Sequence, residues 1–452
     1  MTMKDEILGV MKYHDDAWVR EEKINIYGTN RDVTIEIRAE IKSSLEVQKN
    51  AYKTYMLERE RYIKQIPQIF LAEYLYDYED IESRVEFSEN SPLLRKNISE
   101  STIVKTFAPV VVFFDEKGNY GWICKCGWTK DKTSAVLLSE SRPLVLTPNQ
   151  LRNLHKLNDN TFGTLIHDGK KYWTTWDKLP YYGEEVDVRV EVEGSVDEGV
   201  NSIQQKVYTD YLMHKDDHLR RLSNAMLPVY LGNKTEAEKF IASGQKVGVK
   251  TVLPKRLVID KNGNFGWICY TQWDGSYIGV LLSEDKIQIM GESHLREFSQ
   301  IEKIKDEKCG YVFRTHFGWE QIVLQRFFNE DIKTLPVSIR TYDKKPDERQ
   351  LKKLSEYYLY DSAFWEGIKD ELLPYCLYNY NVFESYLEIP EILNEKNVNR
   401  DNVVSILTFT KLFISIDARI AWLCESPTDQ EDGLAFEFTE GKIKLIGQPD
   451  II

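Results

Sequence analysis

The sequence predicts an α+β fold of three tandem repeats, each a mostly antiparallel sheet with a helix pair packed on one face. Two sequence markers that recur three times in the same order indicate the repeats, and the periodicity between them indicates the elements. The first marker is a glycine–tryptophan segment that includes Tyr120-Gly121-Trp122, Phe265-Gly266-Trp267 and, in altered form, Ile420-Ala421-Trp422. These tryptophans stand roughly 150 residues apart, which is an ordinary domain length.

The second marker is a glutamine followed by ring residues at helical spacing. It reads Gln48-x3-Tyr52-x2-Tyr55, recurs from Gln204 with two tyrosines, and recurs from Gln350 with leucine in place of the first tyrosine. Because both markers keep the same order and spacing, we expect three modules at residues 1–155, 156–305 and 306–452.

Each module is expected to begin with one strand and to continue with two helices. Residues 33–38, 186–192 and 335–340 alternate apolar and polar side chains, as half-buried strands do. The glutamine segments then carry apolar residues at helical spacing, and a second helix follows each of them. In the second module we expect Pro228 to end or kink that helix.

A hairpin and a last strand are expected to complete each module. Residues 110–114 and 257–259 lead into turns, of which Asn262-Gly263 is a strong hairpin signal. The returning strands carry the tryptophans, and a final strand covers residues 134–138, 278–282 or 433–438. The predicted module is therefore one strand, two helices and a strand meander, with the helices on one face of the sheet.

Composition narrows the range of functions. The chain of 452 residues has 59 Lys and Arg against 72 Asp and Glu, a formal net charge of −13. Such a surface repels nucleic acid and attracts a basic protein, although it also simply favours solubility. Neither a membrane-spanning segment nor a signal peptide is evident, and the six cysteines form no disulfide framework. We therefore expect a cytoplasmic protein that binds neither nucleic acid nor membrane.

The candidate reactive residues point to packing rather than to chemistry. Cys124, Cys269 and Cys424 each follow a module tryptophan by two residues, so on a strand they share its face and are expected in the core. His214 and His218 have the spacing of two ligands on a helix, but a solvated helix end is the favoured interpretation. No catalytic residue, cofactor site or metal site is predicted.

The glycine–tryptophan hairpin and the Gln-x3-Tyr-x2-Tyr helix together resemble an uncharacterised family of bacterial domains. Members of that family are often placed among the immunity proteins of polymorphic toxin systems. The resemblance extends over nearly the whole chain as three copies and is clearest in the first two. Family members more typically carry a Glu-His pair after the hairpin, and this pair is missing here at Trp128, Trp273 and residues 429–433.

These observations favour a non-catalytic protein-binding function, and the resemblance implies an immunity-type protein that neutralises a toxin by occluding it. The alternatives are an enzyme with an unrecognised carboxylate site and an adaptor with several binding modules. If a basic toxin domain is the partner, we expect contact at acidic connectors that also carry aromatic residues. The expected contact residues are Asp77, Tyr78, Glu79, Asp80, Glu82, Glu384, Tyr386 and Glu388.

Overall fold

The computed structural model contains three eight-stranded sheets, in each of which the strands lie side by side in chain order. It describes every residue except 40–44, 83–90, 92, 96, 130, 141–142, 232–233, 243–250, 317, 328–331, 343, 359–361, 387–397, 401, 427–428, 441 and 448–452.

The first sheet and its helices occupy the N-terminal third of the chain. Its strands are β1 (Thr2–Asp5), β2 (Gly9–His14), β3 (Ala17–Ile26), β4 (Thr29–Arg38), β5 (Phe107–Phe114), β6 (Tyr120–Cys126), β7 (Thr133–Leu137) and β8 (Leu144–Leu146). Between β4 and β5 lie α1 (Glu46–Tyr76), α2 (Tyr78–Glu82) and α3 (Glu100–Ile103). Where the sequence predicts two helices, α1 is one continuous helix of 31 residues.

The second sheet follows a short helix, α4 (Pro148–Arg152). Its strands are β9 (Lys156–Asp159), β10 (Gly163–His167), β11 (Tyr172–Tyr181), β12 (Glu184–Glu193), β13 (Val252–Ile259), β14 (Phe265–Thr271), β15 (Tyr277–Leu281) and β16 (Gln288–Gly291). Between β12 and β13 lie α5 (Ser202–Met213), α6 (Lys215–Leu231) and α7 (Lys234–Ala242). The prediction for Pro228 is wrong, because α6 contains this proline and continues to Leu231.

The third sheet follows α8 (Glu292–Arg296). Its strands are β17 (Lys303–Asp306), β18 (Gly310–Thr315), β19 (Gly318–Arg326), β20 (Ile332–Ile339), β21 (Thr408–Ile414), β22 (Ile420–Ser426), β23 (Asp429–Thr439) and β24 (Lys442–Gly447). Between β20 and β21 lie α9 (Glu348–Tyr357), α10 (Ser362–Tyr386) and a 3-10 turn at Val403–Ile406.

The α+β class and the threefold repetition of a sheet are confirmed, but the predicted module had too few strands. Three strands precede the predicted first strand in every sheet, and a further strand follows the predicted last one. The helices connect two central strands that run parallel, β4 with β5, β12 with β13 and β20 with β21. A parallel pair requires such a crossover, whereas neighbouring antiparallel strands are joined by short turns.

The described chain divides into two compact units. One consists of Met1–Asp159, Thr164–Trp173 and Ser195–Asp197, and the other consists of Asn160–Gly163, Thr174–Gly194 and Glu198–Ile452. The division into three modules at residues 155 and 305 stays a prediction. Among the described residues, no helix combines the length and the apolar character that a bilayer crossing requires.

The three module tryptophans occupy matching positions in their sheets. Each is paired with an apolar residue on the strand before it and on the strand after it: Trp122 with Val112 and Val136, Trp267 with Leu257 and Val280, and Trp422 with Leu412 and Phe436. All three rings are fully buried, and Cys124, Cys269 and Cys424 are buried beside them. The prediction that these six residues are interior is therefore confirmed.

A hydrogen bond joins the tryptophan to the helix in two of the modules. The indole Nε1–H of Trp122 donates to the hydroxyl of Tyr55 at 3.1 Å, and that of Trp267 donates to Tyr211 at 3.3 Å. In the third module the hydroxyl of Tyr357 donates instead to Gln325, and the indole N–H of Trp422 has no partner among the described residues. The repeated aromatic core therefore tolerates some variation in its polar contacts.

The glycine before the tryptophan permits close approach of a neighbouring element. A Cβ atom at Gly121 would lie 2.2 Å from the carbonyl oxygen of Val136 and 3.1 Å from the side chain of Leu151 in α4. A Cβ atom at Gly266 would lie 2.4 Å from the carbonyl oxygen of Val280 and 2.9 Å from the side chain of Leu295 in α8. Such contacts exclude any larger residue at these two positions without movement of the backbone.

The buried glutamine of the second marker connects the helix to both parallel strands. The side-chain amide of Gln204 donates to the carbonyl oxygen of Glu193 at 2.8 Å and to that of Asp260 at 3.2 Å, at the ends of β12 and β13. Gln350 makes the same two bonds to Arg340 and Ser415, each at 2.9 Å. Both glutamines also complete a capping box at the start of their helix.

Replacing Tyr55 with phenylalanine should destabilise the fold, because the buried N–H of Trp122 would lose its acceptor while the ring packing stays intact. We expect the free energy of unfolding to fall by about 1–3 kcal/mol, measured by urea denaturation. Tyr378→Phe is the control, since that side chain is 87% exposed. Equal stability of the Tyr55→Phe and Tyr378→Phe proteins would show that the indole–hydroxyl bond contributes nothing.

Candidate partner-binding surface

The first predicted contact region is a turn and a short helix. Asp77 ends α1, with its N–H donating to the carbonyl oxygen of Glu73 at 3.0 Å, and the other predicted residues lie in α2. Tyr78 is buried: its ring lies edge-on to Tyr74, and its hydroxyl donates to Glu82 at 3.1 Å. Burial raises the pKa of the Tyr78 hydroxyl.

The acidic members of this region differ in what the structure describes. Asp77 is half-buried and Glu82 is exposed, so Glu82 is available to a partner. Glu79 and Asp80 belong to α2, but their side chains lie outside the described part of the chain. The structure therefore brings Tyr78 and Glu82 together and leaves the contact role of the region a prediction.

The second predicted contact region is described less fully. Glu384 and Tyr386 lie in the last turns of α10, and their side chains are outside the described residues. Glu388 lies outside them altogether. The role of this second region in binding also stays a prediction.

A set of exposed apolar residues was missed by the sequence interpretation. Directly after the buried tyrosine, the first two modules expose large apolar side chains, namely Met56 (38% exposed), Leu57 (85%), Leu212 (39%) and Met213 (69%). We call these four residues the apolar pairs. In the third module Tyr358 is 37% exposed but its hydroxyl donates to the interior Gln321, and Leu359 lies outside the described chain. Their positions eight and nine residues after the module glutamine were the available sequence signal.

The charges around the apolar pairs differ between modules. Leu57 is flanked one helical turn away by Lys53 and Arg61, both exposed. Met213 is preceded by Asp210 and followed by Asp216 and Asp217. The pairs therefore repeat in position, whereas the surfaces that surround them would suit different partner groups.

Below the apolar pair of the first module lies a cluster of charged side chains between α1 and β3. Glu22 accepts a hydrogen bond from Arg20 at 2.6 Å and one from the Tyr52 hydroxyl at 3.3 Å. Arg20 also donates to the Tyr52 hydroxyl at 2.5 Å, and Arg59 lies 3.6 Å from Glu22. Burial, followed by the charge of Glu22, raises the pKa of Tyr52.

The histidine pair of the second module does not form a ligand pair. His214 follows α5, and its side chain is about half exposed, as expected for a solvated helix end. That interpretation is wrong for His218, which is buried against Tyr211, Phe265 and Trp267. It occupies the core position that Tyr62 holds in the first module, fourteen residues after the module glutamine.

The six cysteines lie in surroundings that suppress the reactivity of their thiols. All six cysteines are free and buried, and burial raises the pKa of Cys126, Cys309 and Cys376 to about 12. A thiol in such surroundings stays protonated and is a poor nucleophile. Within the described ranges, no three His, Cys, Asp or Glu side chains are grouped as a metal site would require.

Comparison with known proteins gives no relative for this chain: no protein-family profile, no curated protein and no solved structure matches it.

Replacing His218 with phenylalanine should make the protein less sensitive to acid. Burial lowers the pKa of His218 to about 4 from its ordinary value of 6.5. Between these two pH values the unfolded chain binds a proton that the folded chain does not, so stability falls as the pH falls. In the wild-type protein this effect lowers the free energy of unfolding by about 3 kcal/mol at pH 4, and the variant should not show it.

The measurement is urea denaturation between pH 7 and pH 4. His155→Asn, which changes an exposed histidine, is the control and should retain the wild-type slope. An identical pH dependence in the His218→Phe protein would contradict the buried, neutral state of His218.

Proposed function

We propose that this chain is a non-catalytic protein-binding protein that uses the outer faces of its helices. The observation that supports the proposal best is the recurrence of exposed apolar residues after the buried tyrosine in the first two modules. Isolated exposed apolar residues are ordinary on protein surfaces. Their recurrence at one position in otherwise divergent modules has no explanation in the core, and binding to another protein supplies one.

The proposal includes the predicted arrangement of the helices as a pair on one face of each sheet. In that arrangement the buried tyrosine faces the sheet, and the residues that follow it face outward. A partner would then meet the apolar pairs first. The modules would contribute unequally, since the first pair has Lys53, Glu60 and Arg61 one helical turn away, whereas the second lies near Asp210, Asp216 and Asp217.

The biological role that we propose is neutralisation of a toxin in the cytoplasm by occlusion. The resemblance of the hairpin and helix markers to immunity-type domains supports this role. The net charge of −13 also supports it, because an acidic protein attracts a basic toxin domain at long range. The exposed carboxylate of Glu82 is then a candidate for early contact.

The direct test is rescue of growth. Cells that express the protein encoded beside this chain should lose viability, and co-expression of the chain should restore it by forming a stable complex. A neighbouring protein that is harmless, or a toxic one that this chain neither binds nor neutralises, would contradict the proposal.

Replacing Leu57 with glutamate should weaken binding without unfolding the protein. The side chain is 85% exposed, so the fold loses little, whereas a complex that buries it would lose apolar contact and gain a buried charge. We expect the affinity for the partner to fall by about tenfold or more, measured by calorimetry. Thr54→Glu, on the exposed side of the same helix, is the matched control. Equal weakening by both variants would indicate a general charge effect rather than contact at Leu57.

A further inference from the structure

The charged cluster of the first module holds one cation more than its carboxylate can pair. Arg20 and Arg59 both face Glu22, which gives the cluster a net charge of +1. The hydrogen bonds from Arg20 and Tyr52 both go to one oxygen atom of Glu22, Oε2. Arg59 faces the other oxygen atom, Oε1, at 3.6 Å, so two arginines share one carboxylate.

The guanidinium of Arg59 lacks a good acceptor. Among the described residues its nearest polar contacts are Glu22 at 3.6 Å, which is too long for a hydrogen bond, and the sulfur atom of Met56 at 3.9 Å. Within the part of the chain that the structure describes, the Nε–H groups of Arg59 and Arg20 are both buried without a partner. Only 26% of the Arg59 side chain is exposed, and a charge removed from water to this extent is normally paired.

The second module provides an internal comparison. Lys215 stands eleven residues after Gln204, as Arg59 stands eleven residues after Gln48. It forms a close ion pair of 2.7 Å with Asp177, which follows Trp173 by four residues as Glu22 follows Trp18. Thr175 replaces Arg20 there, so one cation faces one carboxylate and the charges balance. The extra arginine is therefore what leaves the cluster of the first module with an excess positive charge.

We propose that Arg59 and Arg20 form a carboxylate-binding site, and that the ligand is an aspartate or glutamate side chain of the protein partner. The arginine guanidinium matches a carboxylate in planar, two-pronged geometry, which is stronger than contact with a single point charge. The site borders Met56, whose sulfur contacts Arg59, so a partner that covers the apolar pair would bring its carboxylate to this position. The inference rests on the proposed function for the source of the carboxylate, but the site itself can be tested without the partner.

The experiment follows the arginine Nε–H signals of the full chain by nuclear magnetic resonance during titration with sodium acetate. Sodium chloride at equal ionic strength is the reference titration. The signals of Arg20 and Arg59 should shift in a saturable manner with acetate alone. The signal of Arg61, whose side chain is 55% exposed and pairs with Glu58, serves as a control and should not saturate.

Two variants decide the assignment. Arg20→Thr reproduces the second module, so Glu22 should pair with Arg59 and the saturable acetate shift should disappear while the fold persists. Glu22→Gln removes the competing carboxylate and should strengthen acetate binding. Shifts that also occur with chloride, that equal those of Arg61, or that persist in Arg20→Thr would overturn the site. A stronger saturable response to inorganic phosphate would overturn its assignment to a carboxylate. Loss of partner binding in Leu57→Glu bears on the proposed function instead, so the two failures are distinguishable.

Discussion

In the second and third modules, the side chain of one buried glutamine connects three elements, namely the start of a helix and the ends of two parallel strands. Two parallel strands at the centre of each sheet end side by side, and their last carbonyl groups point toward the start of the helix. The side-chain NH2 groups of Gln204 and Gln350 each donate to both carbonyl groups. The backbone N–H and the side-chain oxygen atom of the same glutamine form the capping box with the N-cap residue. An unsatisfied buried carbonyl is costly, so this contact fixes where the helix begins relative to the sheet. Gln48 makes the corresponding bond to Arg38 at 3.4 Å.

From that fixed start, helical geometry determines which residues face the sheet and which face solvent. Tyr55, Tyr211 and Tyr357 lie seven residues after their glutamines and are buried against the module tryptophans. The next residues along the helix point away from the core, because each step turns the chain by about 100°. Met56 and Leu212 are consequently exposed for the same geometric reason. Their apolar character is not required by that geometry, and this is why we assign them to binding.

The polar interior beneath the helix is where the modules have diverged. Arg20, Glu22 and Arg59 in the first module correspond to Thr175, Asp177 and Lys215 in the second. In the third, Gln321 and Gln325 contact the tyrosine hydroxyls of Tyr358 and Tyr357. One backbone arrangement thus carries a cluster with excess positive charge in the first module, a balanced ion pair in the second and glutamine–tyrosine contacts in the third. The fold constrains the position of these side chains and leaves their chemistry free to change.

The same divergence explains what the sequence could and could not predict. The tryptophans, the cysteines and the strands beside them were predictable, because their alternation is regular and recurs. The strand β3 was missed because Arg20 and Glu22 stand on its inward face, which breaks the apolar alternation that identifies a strand.

The third hairpin illustrates a second limit. Its turn begins at Ser415, whose hydroxyl accepts from the N–H of Arg419 as Asp115 accepts from that of Asn119, so the geometry survives without the aspartate. The exposure of Leu57 was not predictable either. Helical spacing shows which residues share a face, but which face is buried depends on where the sheet lies.

Site-resolved hydrogen exchange of Gln204→Ala tests most directly whether the glutamine organises the module. We expect the amides of α5, β12 and the end of β13 to lose protection together, because one side chain links all three elements. The amides of β14 and β15, which form a continuous antiparallel ladder, should keep more of their protection. Loss of protection confined to the first turn of α5, with β12 and β13 unchanged, would reduce the glutamine to a helix cap and contradict the account.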